Sequence, residues 1–114
     1  MVYLTPYNFE DEILESDVPC LIKFSNRGCP LCLGMEDVYQ ALYSKYGSRI
    51  KFGTVDTEVN PDLSEVFDID GVPTIFFFDQ GDAEEVPYPE DPHPYSGYGQ
   101  QYLINYLNSK INEE

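Results

Sequence analysis

The stretch Arg27-Gly28-Cys29-Pro30-Leu31-Cys32 places two cysteines three positions apart, between a predicted strand and a predicted helix. The preceding run, Leu21-Ile22-Lys23-Phe24, is mostly apolar and predicts a buried strand, and residues 33 to about 47 have the apolar spacing of a helix. Backbone N–H groups at the beginning of a helix lack partners and carry the positive end of the helix dipole. A thiolate is stabilised there, so the stretch predicts a reactive thiol pair. A metal site and a purely structural pair remain the alternatives.

The composition of the 114-residue chain predicts one globular domain, covering residues 1–114. Hydrophobic residues make up 42% of the sequence, which is enough to form a core and argues against disorder. The 21 acidic residues outnumber the 6 basic ones and give a formal net charge of −15. Such a charge repels nucleic acid and anionic membrane surfaces, so neither is expected as a partner.

Features of the termini and of cysteine usage predict a cytoplasmic location. No apolar run approaches the roughly 20 residues that span a bilayer, and residues 1–6 lack the basic and apolar segments of a signal peptide. Three cysteines do not form a secreted disulfide framework. In a reducing compartment, a C-x-x-C within an alternating strand and helix pattern favours redox chemistry. The third cysteine, Cys20, opens a core strand and is interpreted as packing.

Hydrophobic periodicity and turn residues predict alternating strands and helices along the chain. Strands are predicted at residues 2–5, 20–25, 50–56 and 75–78, with a hairpin turn at 79–82 and a returning strand at 84–86. Helices are predicted at residues 8–16, 33–47, from 60 to about 67, and 100–110. A proline-rich surface loop between Pro87 and Pro94 precedes the last helix and holds an exposed His93.

This order of elements, combined with three further features, resembles the thioredoxin superfamily from about residue 3 to residue 110. The features beside the C-x-x-C are Asn60-Pro61, the Val72-Pro73-Thr74 segment roughly forty residues after the cysteines, and the Phe9, Ile13 and Leu14 pattern. The resemblance implies an α/β thioredoxin fold, with a central mixed β-sheet of four to five strands flanked by about four helices.

The resemblance also implies the roles of individual residues. Cys29 would attack a substrate disulfide and Cys32 would resolve the mixed disulfide. The Val72–Pro73 bond would be cis and face the sulfurs, where Pro73 occupies the space that a metal ion would need. No metal and no cofactor beyond the Cys29–Cys32 disulfide are therefore implied. The residues expected to contact substrate are Arg27, Gly28, Pro30, Leu31, Val72, Pro73 and Thr74.

Four positions differ from the usual thioredoxin pattern. Gly28 stands where thioredoxins carry a tryptophan, and Pro30-Leu31 stands where they carry Gly-Pro. Lys23 replaces the buried acid that lies six residues before the first cysteine. A partly buried ammonium favours a nearby thiolate, so Lys23 is expected to act as a proton relay to Cys32.

Three functions remain open at this point. The leading one is a thiol–disulfide oxidoreductase that reduces or exchanges protein disulfides as a monomer, with a thioredoxin reductase or glutathione as electron donor. Cys29-Pro30-Leu31-Cys32 also resembles a glutaredoxin active site, although residues 96–99 lack that family's Gly-Gly pair, and Tyr95-Ser96-Gly97 resembles a protein disulfide isomerase domain. The third is a binding module that uses Arg27, Leu31 and the loop of residues 87–94 as its contact surface.

Overall fold

The computed structural model describes residues 1–111, which form five strands and three α-helices. The strands are β1 (Val2–Tyr3), β2 (Cys20–Ser25), β3 (Lys51–Asp56), β4 (Thr74–Asp79) and β5 (Asp82–Glu85). The helices are α1 (Pro30–Tyr46), α2 (Pro61–Val66) and α3 (Gln100–Ile111). No helix among these residues is both long and apolar enough to cross a membrane. The predicted single domain includes residues 112–114, which lie outside the described residues.

The five strands form one mixed sheet in the order β1-β3-β2-β4-β5, which confirms the mixed sheet of four to five strands that the resemblance implied. β1, β3 and β2 run parallel, whereas β4 is antiparallel to both β2 and β5. β2 is therefore the central strand, and its carboxyl end leads directly to the two cysteines. Lys23 pairs with Thr54 of β3 and with Ile75 of β4, which places it in the middle of the sheet.

Both faces of the sheet are covered, which explains why β2 and β4 are almost continuously apolar. One face packs against α1 and α3, in a cluster that contains Leu21, Tyr39, Phe77, Leu103 and Leu107. The other face packs against the N-terminal segment and α2, in a cluster that contains Phe9, Ile22, Phe24, Leu63 and Phe78. Cys20 belongs to this second cluster and is 1% exposed, in agreement with its interpretation as a packing residue.

The prediction of a helix at residues 8–16 is wrong in length and in type. Residues Glu10–Leu14 form a single π-helical turn, in which the Glu15 N–H donates to the Glu10 carbonyl at 3.0 Å. Asn8 does not cap it, because its Oδ1 accepts from the Thr5 N–H at 2.8 Å. The Ser16 hydroxyl donates to the Val18 carbonyl oxygen and accepts from the Val18 N–H. These local hydrogen bonds stabilise a non-helical turn at the point where the helix would have continued. The sheet is thus flanked by three α-helices and this turn.

The predicted hairpin at residues 79–82 joins β4 to β5 by a two-residue turn. Gln80 and Gly81 have φ angles of 55° and 84°, the left-handed values that the common two-residue hairpin turn requires at both positions. Asp79 therefore pairs directly with Asp82, and β5 begins there, earlier than predicted. Val86 lies outside β5, although it is buried and its N–H donates to the Ile75 carbonyl at 2.8 Å.

Candidate active site

Cys29 occupies the N-cap position of α1, so the helix begins three residues earlier than predicted. Pro30 is the first helical residue, a position where proline is favoured because its missing N–H would have no partner. Cys29 has extended backbone angles, and its Sγ accepts a hydrogen bond from the Cys32 N–H at 3.1 Å. This N–H and the helix dipole both favour negative charge on the Cys29 sulfur.

The Val72–Pro73 segment meets Cys29 from the other side of the site. The Cys29 thiol donates to the Val72 carbonyl oxygen at 3.6 Å, across 43 positions of sequence. The Val72–Pro73 peptide bond is cis, and Pro73 is buried while Val72 is partly exposed. The end of β2 and the beginning of β4 thus bring the sulfur of the partly exposed Cys29 against the backbone carbonyl of the partly exposed Val72.

Cys32 lies one helical turn into α1 and is only 4% exposed. Burial raises the pKa of the Cys32 thiol to about 12, and the hydrogen bond with Cys29 acts in the same direction. The backbone of Asn26 and the charge of Lys23 oppose this rise. The two sulfurs are therefore inequivalent, because Cys29 reaches solvent and Cys32 stays a buried thiol until something removes its proton.

Lys23 is 7% exposed and approaches α1 from the central strand. Its Nζ lies 4.8 Å from the centroid of the Tyr39 ring, and among residues 1–111 no side chain forms an ion pair or hydrogen bond with it. Burial lowers the pKa of the Lys23 ammonium, while Glu36 and Cys32 act to raise it. The Tyr39 ring is itself fixed, since its hydroxyl lies 2.8 Å from the Leu21 carbonyl oxygen and 2.7 Å from that of Gly53.

An open groove connects Lys23 and Cys32 to the surface. It has a volume of about 730 Å³, and Lys23, Cys32, Glu36, Tyr39 and Asp56 are among its lining residues. A proton that leaves Cys32 therefore has a route to water through this groove. Among residues 1–111, no group of three or more histidine, cysteine, aspartate or glutamate side chains is arranged to hold a metal ion.

The sequence model of the family described as Thioredoxin matches residues 1–93. The chain belongs to the thioredoxin family. It is 34% identical over 94 residues to protein disulfide-isomerase tigA of Aspergillus niger, covering 80% of this chain and 25% of that protein. It is 32% identical over 78 residues to thioredoxin 1 of a Nostoc species, covering 68% of this chain and 73% of that protein.

A third relative, protein disulfide-isomerase erp38 of Neurospora crassa, is 32% identical over 90 residues, which is 75% of this chain and 24% of that protein. The chain thus spans about a quarter of the fungal isomerases it matches and about three quarters of the thioredoxin. These relatives confirm the predicted superfamily and the predicted class of enzyme, a thiol–disulfide oxidoreductase with Cys29 and Cys32 at C-x-x-C spacing.

The other residues of this thioredoxin-family protein that were predicted to contact substrate differ in their exposure and in the contacts they make. Gly28 and Pro30 are exposed and Leu31 is partly exposed, so all three are accessible to a substrate that approaches the neighbouring Cys29. The Arg27 side chain is 88% exposed, and its Nε lies 3.9 Å from Asp56 Oδ2. The Thr74 hydroxyl donates to the Gly71 carbonyl and so stabilises the turn before β4.

Gly34, to which the sequence analysis assigned no role, lies in the second turn of α1 and is in close contact with the loop before α3. A Cβ at this position would overlap the carbonyl oxygen of Tyr95. The absent side chain lets the loop before α3 lie directly on the first turns of α1, next to the cysteines. A glycine inside an otherwise apolar helical pattern was the available signal, since such a residue commonly marks a close approach of backbone.

Replacement of Lys23 by methionine is expected to raise the pKa of Cys32 and slow its attack on a mixed disulfide by about tenfold or more, because a nearby cation stabilises a thiolate. The measurement is the rate at which a chromophoric thiol leaves a mixed disulfide with Cys29, followed across the neutral to alkaline range. Lys45→Met is the matched control, since Lys45 also lies over a tyrosine ring, at 5.6 Å from the Tyr46 centroid. Equal rates and pH profiles in the two variants would remove Lys23 from the mechanism.

Proposed function

We propose that this thioredoxin-family protein reduces or exchanges disulfides of other proteins through Cys29 and Cys32. The observation that supports the proposal most strongly is the position of the Cys29 sulfur. It caps α1, receives the Cys32 N–H at 3.1 Å and lies 3.6 Å from the Val72 carbonyl oxygen. A substrate disulfide that reaches Cys29 thus meets the backbone carbonyl of the partly exposed Val72 beside the nucleophile.

In the first step, the Cys29 thiolate attacks one sulfur of the substrate disulfide. A bond forms between Cys29 and that sulfur, the substrate S–S bond breaks, and the second substrate sulfur leaves as a thiolate that takes up a proton. Loss of the Cys29 proton also removes the donor that occupies the Val72 carbonyl. That carbonyl is then free to accept a backbone N–H of the substrate, which would align the substrate for attack.

In the second step, Cys32 loses its proton and attacks Cys29. The Cys29–Cys32 disulfide forms, the mixed disulfide breaks, and the substrate leaves as a dithiol. Lys23 lies on the side of Cys32 that opens to the groove, so we assign it the stabilisation of the Cys32 thiolate and the transfer of its proton. The reverse sequence would oxidise a substrate dithiol, and no cofactor other than the cysteine pair takes part.

The electron donor proposed for the oxidised pair is a thioredoxin reductase or glutathione, acting on a monomer. A cytoplasmic location is part of the same proposal, because a reducing compartment maintains the dithiol form from which Cys29 attacks. The family match to thioredoxin supports a thioredoxin-type over a glutaredoxin-type activity, and so does the absence of adjacent glycines in residues 96–99 before α3.

Reduction of insulin disulfides tests this function directly. We expect turbidity from the precipitated insulin chains with dithiothreitol as electron source, and a rate that rises in proportion to the protein added. Supplying a thioredoxin reductase or glutathione in place of dithiothreitol distinguishes the two proposed donors. If the protein does not accelerate insulin reduction with dithiothreitol, with a thioredoxin reductase or with glutathione, the enzymatic function is contradicted. A binding module would then be favoured.

A further inference from the structure

A second groove begins at the Val72–Pro73 peptide and extends toward β5. Its volume is about 290 Å³, and the residues that line it include the apolar Ile69, Val72 and Pro73 together with Tyr88. Because Val72 lines this groove and its carbonyl oxygen lies 3.6 Å from the Cys29 sulfur, the groove begins beside the reactive site. A substrate segment bound against Val72 would therefore place a side chain next to its cysteine in this groove.

The walls of this groove are acidic. Asp68, Asp70 and Glu85 are exposed and line it, and no lysine or arginine is among its lining residues. In the described part of the chain none of these three carboxylates forms an ion pair, and the ion pairs that do form use other carboxylates, on Glu12, Asp56 and Glu84. The groove thus combines apolar lining residues with three carboxylates that form no ion pair.

We infer that the groove binds a lysine or arginine side chain of the substrate segment that flanks the reactive cysteine, so that the protein prefers disulfides in basic segments. The hydrocarbon stem of such a side chain would lie on Val72 and Ile69, and its charged end would reach the three carboxylates. The face of the half-exposed Tyr88 ring offers a further favourable contact for a cation. This inference rests on the proposed function, because it concerns the substrate of the same cysteines.

The charge of the whole protein acts in the same direction. A formal net charge of −15 attracts basic segments and repels acidic ones before contact. Long-range attraction is nonetheless distinct from recognition in the groove, because it would be reduced equally by removing any three carboxylates. The two contributions can therefore be separated by variants of equal net charge.

The test uses peptides that contain one intramolecular disulfide and differ only beside the reactive cysteine, where they carry lysine, glutamine or glutamate. At low ionic strength we expect kcat/KM for the lysine peptide to exceed that for the glutamine peptide by about 5- to 20-fold, and the glutamate peptide to be poorest. In the groove variant Asp68→Asn/Asp70→Asn/Glu85→Gln, the lysine-to-glutamine ratio is expected to fall to about one. Using this ratio within each protein cancels any loss of folded material.

The control variant Asp11→Asn/Glu15→Gln/Asp17→Asn removes the same charge from exposed positions that precede β2, at the sheet end opposite the cysteines. It should keep most of the lysine preference. Equal rates on all three peptides with the unaltered protein would overturn the inference while leaving the proposed function intact. An equal loss of preference in both variants would also overturn it. If no peptide is reduced, the proposed function fails and the inference fails with it.

Discussion

Replacing Cys29 with serine is expected to abolish insulin reduction, with a loss on the order of 10³-fold or more, as is usual when a catalytic nucleophile is removed. The partly exposed Cys29 is the one sulfur that combines access to substrate with the N-cap of α1 and the Val72 carbonyl. Cys32 cannot replace it, because Cys32 is 4% exposed and its pKa is raised to about 12. Full activity of Cys29→Ser would contradict both enzymatic interpretations.

The Cys32→Ser variant should fail differently. Cys29 should still attack, but no second thiol then resolves the mixed disulfide, so a covalent complex with substrate should accumulate. Dithiothreitol should reduce this mixed disulfide and release the substrate. Denaturing electrophoresis without reductant measures this complex. Cys20→Ala is the control, because Cys20 is buried in the opposite face of the sheet and should have no part in exchange. A covalent complex that forms through Cys20 would contradict the assignment.

Replacing Gly34 with alanine is expected to lower the free energy of unfolding by about 3 kcal/mol or more, the upper range for overpacking in a core. The new Cβ would overlap the Tyr95 carbonyl oxygen and crowd Ser96, and backbone atoms cannot move aside as a flexible side chain can. Alanine is favoured over glycine in a helix by about 1 kcal/mol, so helix propensity alone predicts the opposite sign.

Chemical denaturation of Gly34→Ala and Gly71→Ala measures this effect against a matched control. A Cβ at Gly71 would meet no heavy atom within 4 Å, so its replacement should change stability little. Equal stability of Gly34→Ala and the unaltered protein would show that the loop before α3 does not need this close approach. Because Tyr95 and Ser96 lie beside the first turns of α1, we also expect the Gly34 variant to lose reductase activity.

Much of the fold follows from local patterns in the sequence. Local sequence preferences determine several elements. These are the apolar strands β2 and β4, the turn at Gln80-Gly81 and the helix α2, which begins at a proline. The first predicted helix failed because hydrogen bonds of Asn8 and Ser16 compete with helical ones. Periodicity does not report such competition.

Some features of the active site could likewise be predicted from the sequence, and others could not. The position of Cys29 at a helix beginning could be predicted from spacing, because a strand and a helix directly flank it. Its contact with Val72 joins residues 43 positions apart and was expected only from the family resemblance. Two other contacts could not be predicted from local sequence patterns, because they depend on how separate elements pack together. They are the close packing of Gly34 on Tyr95 and the approach of Lys23 to the Tyr39 ring.

The central claim is that Cys29 and Cys32 form one reversible redox pair. Equilibration of the protein with glutathione buffers, followed by alkylation of free thiols and mass measurement, tests it most directly. We predict that the Cys29 and Cys32 thiols are oxidised together as a single two-electron couple. Its potential should lie within roughly −270 to −120 mV, the range of related dithiols. Cys20 should remain a free thiol that is alkylated after denaturation. Oxidation of Cys29 without Cys32, or stable glutathione adducts in place of the internal disulfide, would contradict the account.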